Sequence, residues 1–123
     1  MNKIPSLVIA SITMITLDAM FLNTLRSYFN YQVSLVQGSD IKFKILPAIF
    51  VYISMVFGLY YFIIRERKTI KDAFLLGVVI NSVFELTNMT IFNKWKLSSV
   101  ILDTLWGGTL FAITTWVTYR IRF

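Results

Sequence analysis

Three acidic residues stand inside runs of apolar sequence: Asp18, Glu85 and Asp103. Around the last two, the stretch Asn81–Gly108 adds Asn81, Thr87, Asn88 and Trp106 as hydrogen-bonding groups. A carboxyl group facing lipid costs on the order of 2.5–3.5 kcal/mol on insertion scales, so a chain that carries three has reason to turn them inward. The chemistry open to such a set is the holding of a proton or a cation. Carboxylates crowded at low dielectric cannot all be ionised, so either at least one keeps a proton near neutral pH or a cation sits among them. Other chemistries lack their residues. The chain has no Cys and no His, which removes the thiol nucleophile, the disulfide, the commonest metal ligand and the commonest acid–base group near neutral pH. No Gly-rich phosphate loop, Ser–Lys pair or metal-ligand cluster is present. No catalytic residue, metal site or cofactor is assigned, and a membrane-embedded enzyme is the weakest of the readings because no nucleophile or metal set is visible.

Spacing supports an inward cluster. Asn81, Glu85 and Asn88 fall at i, i+4 and i+7, one stripe of a helix. Asp103, Trp106 and Gly107 fall at i, i+3 and i+4 on the next one. Gly107 and Gly108 let a neighbouring backbone come close, and the Trp106 N–H can donate to a carboxylate. Asp18 is seven residues short of Leu25 and Glu85 seven short of Phe92, which puts both about 10 Å below the same end of their helices. Asp103 is six residues past Leu97, about 9 Å deep from that side. No Lys or Arg shares this level; the nearest, Arg26, would have to snorkel from two turns beyond Asp18. The competing reading is a lock, in which neutral carboxyl–amide bonds hold helices together at roughly 0.6 kcal/mol each.

The elements that must position these residues are membrane helices. The chain is 57% hydrophobic and 16% aromatic over 123 residues, with a mean hydropathy of +0.71, against about 45–50% apolar for a soluble domain. Ile45–Ile64 has no charged residue, the length of about 20 residues that a spanning helix needs. The pattern predicts one all-α domain, a four-helix transmembrane bundle with spans at about 6–26, 45–64, 73–92 and 97–119. Pro5 suits the first turn of the first span and Pro47 that of the second. A cleaved leader competes for the first span, but no small-x-small site comes after it. Beyond Arg26, the spacing of Tyr28, Phe29, Tyr31, Gln32, Leu35 and Val36 predicts an amphipathic continuation at headgroup level, stopped at Gly38, with Ser39 or Asp40 able to cap the next helix. The second span reads as scaffold, with Ser54 and Gly58 offering a narrow surface for close helix approach. Its aromatics read as lipid-facing or packing groups, and Trp95 as an interfacial anchor.

Net charge is +6, yet the basic residues flank the spans, beside lipid headgroups, with no basic face for nucleic acid. The expected partner is the lipid bilayer, with a homo-oligomer or a membrane complex open. Four spans put both termini on one side, with Lys3, the basic residues between Arg65 and Lys71, Arg120 and Arg122. Arg26, Lys42, Lys44, Lys94 and Lys96 lie on the other. The excess favours cytoplasmic ends. Asn88-Met89-Thr90 matches a glycosylation sequon, but it falls in hydrocarbon.

Asp18, the run Glu85-Leu86-Thr87-Asn88, Trp95, and Asp103 with Trp106-Gly107 together resemble a family of small four-helix membrane proteins known as a domain of unknown function. The resemblance covers nearly the whole chain. It departs in carrying Glu85 where that family usually has Asp, and in lacking a Trp shortly after the first acid. It implies the four-helix membrane fold and brings no activity with it. The function expected from the residues is a proton- or cation-responsive centre in a minimal transporter or channel-like component. The alternative is a structural protein of a larger complex, or of a cellular or viral membrane.

Overall fold

The computed structural model describes residues 3–39, 41 and 44–122. Asp40, Lys42 and the side chain of Lys3, which entered the capping and charge readings, lie outside the described residues. The order is α1 (Lys3–Thr24), α2 (Arg26–Gln37), α3 (Ile45–Leu59) continued by a π-helical turn over Tyr60–Ile64, α4 (Ile70–Ile91) and α5 (Leu97–Arg122). Among the described residues there is no strand. Four helices are long and apolar enough to cross a membrane: Ile4–Thr24, Ile45–Ile64, Ile70–Ile91 and Leu97–Arg122. The protein is all-α with four candidate spans.

The helix ends obey local chemistry. The chain turns at Leu25 between α1 and α2, and Gly38 ends α2 in the left-handed conformation (φ 77°), its N–H bonded to the Ser34 carbonyl. After the π-helical turn, Arg67 takes a positive φ of 52°. Its N–H reaches the Ile64 carbonyl (3.0 Å), and the Lys68 N–H reaches that of Ile63 (2.9 Å). This is a Schellman ending with arginine in place of the usual glycine. Tyr119 ties the same corner to α5, its hydroxyl reaching the Lys68 carbonyl at 2.7 Å. Thr69 caps α4 by accepting from the Asp72 N–H (3.1 Å), and Asp72 places a negative charge in the first turn.

The core is organised around α5. In its most apolar window 39% of residues are buried, against 11% for α4, because α5 meets α4, α1 and the end of α3 while α4 is covered on one side. The α4–α5 contact is the closest in the molecule. Gly77 lies against Gly107 and Gly108 so tightly that a Cβ on Gly77 would come within 2.9 Å of the Gly108 Cα. A Cβ on Gly108 would come within 2.7 Å of the Val78 side chain. Ser54, by contrast, is exposed, and a Cβ on Gly58 would have nothing within 4 Å. Among the described residues, the narrow surface expected on the second span makes no such close approach. α3 packs on α1, and α3 and α4 scarcely touch.

Candidate functional site

Asp18 lies in the last third of α1 and is gripped from two other helices. Its Oδ1 accepts from Nε1 of Trp106 on α5 (2.9 Å), and its Oδ2 accepts from the Tyr52 hydroxyl on α3 (2.5 Å). The Trp106 ring also stacks on Phe21, one turn beyond Asp18, with centroids 4.5 Å apart and planes 2° from parallel. α1 thus holds the indole by its edge and by its face. Each group needs the other: an N–H in an apolar interior wants an acceptor, and a carboxyl wants donors.

Glu85 sits on α4 and is 2% exposed. Its Oε1 accepts from Nε1 of Trp95 in the α4–α5 turn (2.9 Å). The Asp103 carboxyl on α5 is a close neighbour of both Glu85 and Asp18. Tyr52, Asp18, Asp103, Glu85 and Trp95 therefore form a group of polar side chains across the bundle. Asn81, one turn before Glu85, donates from Nδ2 to the Gly77 carbonyl (2.8 Å), and its amide lies over Gly107. Ala73, Gly77, Asn81 and Glu85 succeed one another at four-residue intervals, a ridge that faces α5.

A cavity of about 630 Å³ reaches this group from between α3 and α4. Its walls are apolar, with Phe50 and Val51 on α3, and Ile80 and Phe84 on α4. Asp18, Asn81, Asp103 and Trp106 also line it. Phe50 and Phe84 are themselves 60% and 56% exposed on the outer face of the bundle, so the cavity is a cleft open sideways. It exists because α3 and α4 scarcely touch.

Residues 4–120 match the family described as Predicted membrane protein (DUF2177). The chain belongs to that family. It is a membrane family of unknown function, the kind that the acid, Trp and Gly pattern resembles. No curated protein and no solved structure matches the chain.

Within this member of the family, the residues singled out by sequence divide into three groups. Asp18, Asn81, Asp103 and Trp106 come together on the cleft. Glu85 does not line the cleft and lies beside Asp103. Asn88 does not line the cleft; its carbonyl accepts from the Phe92 N–H at the end of α4. Thr87 is exposed. Arg26 lies elsewhere, with Ser27, Asn30 and Ile41 around a separate cavity. Among the described residues, no set of three acidic side chains is arranged to hold a metal ion.

Sequence reasoning missed three partners. Tyr52 belongs to the span read as scaffold, yet its hydroxyl closes on Asp18. The signal was its position: seven residues past Ile45, it lies at the depth of the acids. Trp95, placed by sequence at the interface, also turns its N–H back to Glu85. Gln32 is 1% exposed and clamps the α4–α5 turn. Its Nε2 donates to the Lys94 carbonyl (2.9 Å), and its Oε1 accepts from the Lys96 N–H (2.9 Å) and the Ser99 hydroxyl (2.6 Å). Its helical spacing with Phe29 and Val36 on the apolar face of α2 was the available sign.

Proposed function

We propose that the protein is a minimal transporter or channel-like component whose intramembrane carboxyl chain binds a proton or a monovalent cation. The observation that carries this reading is the exposure of Asp18 and Asp103 to a cleft. A lock needs its polar groups bonded and sealed, whereas a carrier needs some of them reachable. Asp18 and Asp103 would exchange the charge. Tyr52, Trp106 and Asn81 would orient them, and Glu85 would share its proton with Asp103. With both termini cytoplasmic, as the flanking charges favour, the acids lie nearer the outer face. A homo-oligomer would supply cover for the exposed apolar face of α3.

A second reading has its own observation. Glu85 is sealed and bonded to Trp95, as expected of a structural membrane protein in which polar contacts fix the helices.

The test is reconstitution in liposomes, with proton- or ion-gradient-driven flux measured for the native chain, Asp103→Asn and Glu85→Gln. The expected outcome is gradient-dependent flux that falls at least about tenfold in Asp103→Asn while the helices stay folded, as expected for loss of a charged ligand. Absence of flux in every form, with lower thermal stability in the variants, overturns the carrier reading in favour of the lock.

A further inference from the structure

The cleft between α3 and α4 has a shape and lining that select a class of ligand. Its volume of about 630 Å³ falls within the range of about 300–1,000 Å³ typical of sites for small organic molecules. It is roughly twenty times the volume share of one water molecule, about 30 Å³. Phe50, Val51, Ile80 and Phe84 add no oxygen ligand, so an inorganic cation, which needs a close oxygen shell, would use only the inner end and leave the rest of the cleft empty. Apolar walls of that extent suit a hydrocarbon or aromatic body.

The inner end is different. Asp18 and Asp103 bring carboxyl oxygens, and each such oxygen has two lone pairs. Trp106 and Tyr52 therefore use only part of the capacity of Asp18. Asn81 spends its amide nitrogen on Gly77, which leaves its carbonyl oxygen. Acceptors from three side chains match the three N–H donors of a primary ammonium. Neither Lys nor Arg lines the cleft, so nothing there would pair with a phosphate, and a phospholipid headgroup would meet two acids. The mouth opens on the lipid-facing surface between two helices, with Phe50 and Phe84 exposed at its rim.

We propose that this cleft binds a lipophilic primary amine without a phosphate, taken in sideways from the bilayer, with its ammonium against Asp18, Asp103 and Asn81 and its apolar body between α3 and α4. This rests on the acidic centre being a cation site and names what kind of cation it takes. Burial of the tail supplies most of the binding, and the carboxyls supply the selection of charge.

The probe is dodecylamine carrying a diazirine in its chain, photolysed with the full-length protein in phosphatidylcholine nanodiscs. Labelling is expected to saturate, to map to α3 and α4 around Phe50 and Phe84, and to be displaced by unlabelled dodecylamine. Asp103→Asn should weaken the apparent affinity about tenfold, the loss of one charge-assisted contact. Ser54→Phe enlarges an exposed side chain of the cleft lining without touching an acid, and it should abolish saturable labelling. Three results each overturn the proposal: labelling that never saturates, labelling displaced equally by dodecanol, and labelling unchanged by Ser54→Phe. Displacement by phosphatidylethanolamine as effective as by dodecylamine overturns the exclusion of phosphate and with it the proposed ligand. The two proposals fail separately. Ion flux without amine labelling leaves the carrier and removes the amine site, and saturable labelling without any flux does the reverse.

Discussion

Trp106 meets α1 twice, through the N–H that Asp18 accepts and through the ring that stacks on Phe21. The two contacts can be separated. Trp106→Phe keeps an aromatic face for Phe21 and deletes the donor, leaving Asp18 with the Tyr52 hydroxyl alone. Hydrogen bonds between membrane helices contribute on average about 0.6 kcal/mol and at most about 1.7, so the expected loss is about 1 kcal/mol. Thermal unfolding in detergent measures it. Trp106→Ala removes both contacts and should cost at least about 3 kcal/mol, the usual consequence of emptying a large aromatic site. If the two variants lose equal stability, the stack adds nothing.

At the scale of helices, the bundle is held by unequal contacts. α4 and α5 approach so closely that a Cβ at 77 would run into the α5 backbone, and one at 107 or 108 would force the side chains of Asn81, Val78 or Phe74 to shift. α3 leans on α1 and leaves its other side open. Alanine substitution reads this difference directly. Gly77→Ala forces α4 away from the backbone at Gly107 and Gly108, and overpacking of this kind costs about 1–3 kcal/mol. Gly58→Ala meets no atom within 4 Å and replaces a poor helix former, so it should be neutral or stabilising by up to about 1 kcal/mol. The pair is checked by the same unfolding measurement. A loss of stability at Gly58 that depends on protein concentration would show that this face is covered by a second copy. The same asymmetry makes the cleft. A fourth helix packed as tightly on α4 as α5 is would close the space that Asp18 and Asp103 line.

For the molecule as a whole, four candidate spans require the α2–α3 connection and the α3–α4 loop to emerge on opposite sides of the bilayer. The chain contains no Cys, so single cysteines report without background. Ser39→Cys and Glu66→Cys sit at exposed positions on those two segments. In intact cells an impermeant maleimide is expected to label the cysteine at 39, while the one at 66 reacts only after the membrane is opened. The reverse pattern would invert the orientation and keep the fold. Labelling of both from one side would rule out four spans.

The chain alone determined the set of helices and that four of them are long and apolar enough to cross a membrane. Apolar runs of about 20 residues, first-turn prolines, the Gly38 stop and basic residues confined to the flanks are all local or periodic signals, and each acts through its own segment. Depth was legible too, since rise per residue is fixed and Asp18, Glu85 and Asp103 could be counted inward from their helix ends. Azimuth and neighbours were not. Which donor meets which carboxyl depends on how helices rotate against one another, and that rotation is set by the Gly77–Gly107–Gly108 contact and the clamp of Gln32 on the α4–α5 turn. Only the tertiary structure could therefore pair Tyr52 with Asp18 and Trp95 with Glu85, retire Asn88 from the lining and leave α3 apart from α4. Side-chain pairing across a bundle is a property of packed surfaces, and no single segment carries it.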